Sequence, residues 1–176
     1  MAGAAKPPSR VSLAYVGLGA NLGDARATLA GAVESLAELG EVRAVSPLYE
    51  TDPVGLEDQP PFLNAVAVVA TPLDPHRLLA ALLAIEARFG RERTIRWGPR
   101  TLDLDLLAMD GVQLDEPQLT VPHPRLHERR FVLAPLDEIA PEWRHPLLGS
   151  SAAALLAALP AGQPVRVLGD PGAPSG

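Results

Sequence analysis

The stretch RWGPRTLDLDLL, Arg96 to Leu107, carries two aspartates inside an apolar run. Its second half alternates, and alternation at period two reads as a β-strand. Leu102, Leu104 and Leu106 share one face of that strand, and Asp103 and Asp105 the other. Side chains two residues apart on a strand sit roughly 6.5–7 Å apart. Carboxylates that close repel unless water or a cation screens them. Two readings follow: a half-buried strand with a wet face, or a divalent-cation site. Hard cations such as Mg²⁺ take one or two carboxylates together with substrate phosphates. The neighbours bear on the choice. Five arginines fall between Arg88 and Arg100, and three more stand at Arg125, Arg129 and Arg130. Arginine forks match phosphate oxygens. Trp97 sits in this polar loop, where a core role is hard to arrange and a flat ring suits stacking on a flat ligand.

Working outward, VSLAYVGLG reads as a first strand, Asp24 as an N-cap and ARATLAGAVESLAEL as an amphipathic helix stopped by Gly40. EVRAVSPLYET reads as a second strand with Pro47 at an edge or bulge. A proline-rich loop and the strand FLNAVAVVAT follow. Asp74 and Pro75 suit N-cap and N1 of a helix, HRLLAALLAIEARF, closed by Gly90. The polar loop from Arg91 to Arg100 has few core anchors and is expected to move without ligand. Beyond the MDG turn, residues 119–143 mix short strand and helix signals with prolines. SSAAALLAAL reads as a short helix and QPVRVL as a last strand. Interleaved strands and helices make the class α/β or α+β, and the hairpin-like spacing around MDG favours a mixed or antiparallel sheet.

The 176 residues suit one domain, over 11–169, with frayed tails at 1–10 and 170–176. Zero cysteines exclude disulfides, thiolate metal sites and cysteine nucleophiles. No apolar run approaches the roughly 18–20 residues that span a bilayer, and the start lacks the apolar core of a signal peptide. The expectation is a cytoplasmic protein. A net charge of −6 argues against general nucleic-acid affinity. With fourteen arginines and one lysine, the arginine clusters suit a small polyanion.

Gly17, Gly19 and Gly23 after the first strand invite a dinucleotide-binding reading. Their spacing is G-x-G-x-x-x-G, and the acidic candidates Glu38 and Glu41 fall at a helix end, so close backbone packing is the plainer reading. His123 and His127 are spaced as zinc ligands on a helix would be, but Pro124 stands between them. Contact from His123 to a phosphate or ribose fits better.

RWGPRTLDLDLL together with LTVPHPRLHERRFVLAPLDEIAP resembles the 6-hydroxymethyl-7,8-dihydropterin pyrophosphokinase family of folate biosynthesis. YVGLGANLGD, SPLYET and DQPPFLNAV match it in the same order, from about Val11 to Trp143. The resemblance implies a three-layer sandwich, with a mixed, mostly antiparallel central sheet flanked by helices, related to ferredoxin-like folds. It implies transfer of pyrophosphate from ATP to a pterin hydroxymethyl group, with release of AMP and use of two Mg²⁺ ions. ATP and the pterin are the implied partners, with no nucleic acid or membrane, on a monomer or weak homodimer.

Carried over residue by residue, the resemblance assigns Asp103 and Asp105 to the metals, and Arg91 and Arg100 to a clamp on the transferring group. Arg93, Arg96, Trp97, Thr120, His123 and Arg129 become nucleotide contacts. The pterin falls between Phe62 and Phe131 with Trp97 closing over it, and Thr51, Asn64 and the backbone around Val54 meet its edge. Asp105 is the candidate general base, with activation of the hydroxyl by the metal alone as the alternative. Phe62 stands where the family often has tyrosine, and Gln118 where some members have arginine. A non-catalytic nucleotide-binding module is the competing class; it predicts ATP binding without turnover.

Overall fold

The structure, a computed structural model, describes residues 11–52, 60–90, 101–162 and 165–169. Strand β1 (Ser12–Ala20) runs into helix α1 (Ala25–Leu36), whose first turn Asp24 caps by accepting the Ala27 N–H at 3.1 Å. Two short strands follow, β2 (Glu41–Val45) and β3 (Leu48–Thr51), then β4 (Phe62–Thr71). Asp74 caps α2 (Pro75–Arg88), with Pro75 in its first turn and Gly90 at φ 71° just past its end, as the sequence predicts. Strand β5 (Asp103–Met109) leads to a small hairpin of β6 (Leu114–Asp115) and β7 (Thr120–Val121). A 3₁₀ turn (Leu126–Glu128), α3 (Arg130–Ile139), α4 (Ala152–Ala158) and β8 (Val165–Gly169) complete the order.

The main sheet runs β5-β1-β4-β3-β8, with β2 also paired to β4. All its ladders are antiparallel among the described residues, so the parallel pairing of a mixed sheet is absent there. Period-two alternation then sorts the side chains. Val16, Leu18, Ala65, Ala67, Leu104 and Leu106 face a core closed by Leu29, Ala32 and Leu36 of α1 and Leu78, Leu82 and Ile85 of α2. Tyr15, Val66, Val68 and Leu107 face a second core closed by Val132, Leu133 and Leu136 of α3. A bulge opposite Tyr15 and Val16 turns both Leu107 and Ala108 toward this second core and ends the clean alternation of β5.

Two sequence expectations need correction, and a third resolves in detail. The stretch 41–51 is two strands. Pro47 has no N–H for the ladder, and the buried Ser46 bridges the break, its hydroxyl accepting the Val66 N–H at 2.9 Å. Gly40 does not stop α1, which ends at Leu36 with Ala37 as its cap. Instead the chain passes so close to β4 that a Cβ on Gly40 would lie 2.1 Å from the Ala70 carbonyl oxygen. The mixed signals of 119–143 resolve into a hairpin, a 3₁₀ turn and α3, which tolerates Pro135 inside its apolar face.

The Gly40 contact gives a sharp expectation. Gly40→Ala must displace backbone on one side or the other, at a cost of about 3 kcal/mol. Thermal unfolding by circular dichroism should then show Tm falling by roughly 5–10 °C; an unchanged Tm would mean that the connection gives way freely.

The edge strand β5 has its own fastening. Glu86 of α2 is buried and accepts the Leu104 N–H at 2.7 Å, which satisfies an outward donor and covers the sheet edge. The strand that carries the two aspartates is thereby tied to α2 on one side and to β1 on the other.

Candidate active site

One row of the sheet organises the site. Gly19 of β1 pairs with Asp103 of β5 on one side and with Asn64 of β4 on the other, and Asn64 pairs with Tyr49 of β3. One row further, Gly17 pairs with Asp105. Adjacent strands lie about 4.8 Å apart. The side chains of Asp103 and Asn64 are therefore separated by a strand that offers only a hydrogen at that point. At these two positions the glycines pack closely against their neighbours and clear a floor between the carboxylates and the amide. A Cβ on Gly19 would meet Asn64 Oδ1 at 3.2 Å, and one on Gly17 would meet the Leu107 side chain at 3.4 Å.

Above this floor lies a cavity of about 550 Å³. Thr51, Phe62 and Asn64 line it from β3 and β4, and Asp103 and Asp105 from β5. Arg125, Glu128, Arg129, Phe131 and Val132 line it from the 3₁₀ turn and the start of α3. Asn64 is buried and donates through Nδ2 to Thr51 Oγ1 at 3.1 Å, which fixes the amide and leaves Oδ1 over Gly19. α3 is seated by Tyr49, whose hydroxyl donates to Glu138 at 2.6 Å. Burial, then that carboxylate, pushes the phenol far above its ordinary value, so it remains a donor. The Arg129 guanidinium stands 5.7 Å from the Phe131 ring centroid.

Gly17 and Gly19 line this cavity, and so do seven of the residues given a catalytic, binding or metal role from sequence: Thr51, Phe62, Asn64, Asp103, Asp105, Arg129 and Phe131. Thr120 and His123 do not. Thr120 lies in the hairpin opposite Asp115. The His123 backbone N–H donates to the Leu107 carbonyl at 2.7 Å, which sets it beside β5. Its Nδ1 accepts the Arg125 N–H at 3.1 Å. Burial, then Arg129 and Arg125, hold its pKa down to about 4, against an opposing push from Asp103. At neutral pH His123 is therefore uncharged with its proton on Nε2, a donor suited to an anion. Val54, Arg91, Arg93, Arg96, Trp97 and Arg100 lie outside the described residues, as does the expected mobility of the 91–100 loop.

The His123 shift carries a pH consequence. An unfolded imidazole near 6.5 takes up a proton that the folded one, near 4, refuses. Its contribution to stability is full above about pH 6.5 and is lost as pH falls toward 4. Denaturant unfolding at stepped pH should show this loss in the wild type and a shallower one in His123→Gln. Equal slopes would contradict the lowered pKa of His123.

Sequence reading missed Asp52, Arg125, Glu128 and Val132 as lining residues. Arg125 had a signal, its place in an arginine cluster. The glycines were visible, but their meaning needed the strand register.

Among the described residues no three potential ligands gather into a self-sufficient metal cage. The donor set is two carboxylates two residues apart on one sheet face, open to the cavity. That set fits a hard cation which completes its shell from substrate phosphates.

Fold and cavity together define a class. It is an α/β domain whose cavity sets two phenyl rings and a buried amide beside a carboxylate pair. The chain belongs to the 7,8-dihydro-6-hydroxymethylpterin-pyrophosphokinase (HPPK) family, whose profile matches residues 15–141. It is 52% identical over 131 residues to the 2-amino-4-hydroxy-6-hydroxymethyldihydropteridine pyrophosphokinase of Methylorubrum extorquens, covering 73% of this chain and 83% of that one. It is 50% identical over 148 residues to the Pseudomonas aeruginosa enzyme of the same name, covering 83% and 91%. Among solved structures, the wild-type HPPK-DHPS of Plasmodium falciparum with pteroate matches with a TM-score of 0.67 at 18% identity. That match covers 87% of this chain and 43% of the other, and it speaks to the fold. The chain is thus a pyrophosphokinase of folate biosynthesis, an ATP-dependent enzyme that transfers pyrophosphate to 6-hydroxymethyl-7,8-dihydropterin.

Proposed function

We propose that the transfer takes place on the floor made by Gly17 and Gly19, with Mg²⁺ as the assisting ion. The observation that carries this reading is the row Asp103–Gly19–Asn64, which sets a carboxylate and a buried amide on either side of an open gap. The pterin lies at the Asn64 end. Its ring packs against Phe62 and Phe131, and Asn64 Oδ1 accepts from its edge while Thr51 holds the amide. The backbone around Val54 and the Trp97 ring complete that pocket.

Asp103 and Asp105 would hold two Mg²⁺ ions, which when bound would supply charge neutralisation on the triphosphate. The pterin hydroxymethyl oxygen forms a bond to the β-phosphorus, the bond from the β-phosphorus to the α,β-bridging oxygen breaks, and AMP leaves with that electron pair. Asp105 is the acceptor we assign to the hydroxyl proton. Arg91 and Arg100 neutralise charge on the transferring group. Arg93, Arg96, Trp97, Thr120, His123 and Arg129 hold the nucleotide, His123 as a neutral Nε2–H donor. Such a transfer asks the protein for positioning and electrostatics rather than covalent chemistry.

The domain we assign spans 11–169 and works as a monomer or weak homodimer in the cytoplasm. No helix among the described residues is long and apolar enough to cross a membrane. The product assay tests the reading. Protein, ATP, Mg²⁺ and 6-hydroxymethyl-7,8-dihydropterin are mixed, and nucleotides are resolved by chromatography. AMP forming in step with pterin consumption supports it. ADP would mean attack at the γ-phosphorus, and bound ATP without product would mean a binding module.

A further inference from the structure

Arg125 enters none of the roles assigned above, yet its side chain lines the cavity. Among the described residues, four carboxylates line the same space, Asp52, Asp103, Asp105 and Glu128, beside two guanidiniums, Arg125 and Arg129. Asp52 is met by Arg166 from β8 at 3.2 Å. Glu128 is met by Arg125, through Nε at 3.3 Å. A carboxylate at the rim of a triphosphate site repels its ligand unless it is neutralised, so the Glu128 charge needs an answer.

The geometry of Arg125 supplies more than that answer. Its backbone N–H is tied to His123 Nδ1 at 3.1 Å, which fixes its Cα beside the imidazole. Arg125 and Arg129 line the cavity from the 3₁₀ turn and the start of α3, and Asp103 and Asp105 line it from β5. The ion pair with Glu128 uses only the Nε edge of the fork, and both side chains are more than half exposed, at 61% and 53%. A pair so exposed contributes little to stability and exchanges readily for a stronger partner. Phosphate oxygens are such a partner, since charge-assisted Arg–phosphate bonds are often bidentate.

We infer that Arg125 is a nucleotide-binding arginine held in reserve by Glu128: in the free enzyme it neutralises Glu128, and on nucleotide binding its terminal nitrogens turn to the phosphates. The inference rests on the ATP site of the previous section. It makes the two partners of one ion pair act in opposite directions. A purely structural staple of the 3₁₀ turn would make them act alike.

The test is calorimetric titration of the full chain with a non-hydrolysable α,β-methylene analogue of ATP, with Mg²⁺ present, at low and high salt. The wild type must first show AMP formation, so that failure of the ATP reading is seen separately. Arg125→Ala should weaken analogue binding roughly tenfold and lower its salt dependence. Arg125→Lys should recover part of the loss, and pterin binding should be unchanged. Glu128→Gln should bind the analogue more tightly than the wild type. Equal weakening by Arg125→Ala and Glu128→Gln, or no change in either, would overturn the inference. Unfolding curves of each variant identify any loss that comes from the fold.

Discussion

Asp105→Ala and Asp103→Ala should each lower kcat by at least about 10³-fold, because cation-borne charge neutralisation is worth several kcal/mol in such transfers. The fold should survive. Both side chains lie partly buried on the polar face of β5, whereas Leu104 and Leu106 on the opposite face carry the packing. Removing one of two neighbouring carboxylates also relieves repulsion, so stability should stay within about 1 kcal/mol of the wild type. Steady-state kinetics at saturating ATP and pterin, beside a denaturation curve, measures both. A variant with near wild-type turnover would remove the metal assignment. A variant that unfolds would instead make the carboxylates structural.

Asn64→Ala should raise KM for the pterin about 10²-fold and leave KM for ATP nearly unchanged. A site built to hydrogen-bond a heterocycle edge loses heavily when a partner is removed, because the remaining buried groups go unpaired. The Thr51–Asn64 bond makes a control possible. Thr51→Val leaves Oδ1 in place but frees the amide to rotate, so its effect should have the same sign and be smaller. Gly19→Val should reproduce the pterin defect without touching a hydrogen-bonding group, since its side chain would enter the space in front of Asn64 Oδ1. Equal losses for ATP and pterin in Asn64→Ala would argue for a general collapse of the cavity.

The parts of this account that the sequence makes legible are those with a short-range cause. Asp24, Asp74 and Pro75 mark helix starts because their side chains act within one turn, and TLDLDLL declares its two faces because the period of a strand is two. What it hides depends on partners distant in the chain. Gly40 resembles a helix stop, and only the path of β4 beneath it reveals a close approach instead. Gly17 and Gly19 resemble a phosphate-binding motif, and only the register that sets them between Asp103, Asp105 and Asn64 reveals a floor. Ser46 bridges a break that Pro47 announces but cannot explain alone. Arg125 and Glu128 read as surface charge until the 3₁₀ turn brings them to the cavity. The metal and pterin roles proposed here come from resemblance rather than from spacing, since two aspartates on a strand are equally well a solvated face.

The central claim is that the carboxylate pair and Asn64 act on two substrates across one glycine floor. A crystal structure with Mg²⁺, α,β-methylene ATP and 6-hydroxymethyl-7,8-dihydropterin tests it most directly. The account predicts cations between Asp103, Asp105 and the phosphates, the pterin edge on Asn64 Oδ1, and the hydroxymethyl oxygen in line with the β-phosphorus above Gly19. Cations bound away from both aspartates, or a pterin that does not reach Asn64, would contradict it.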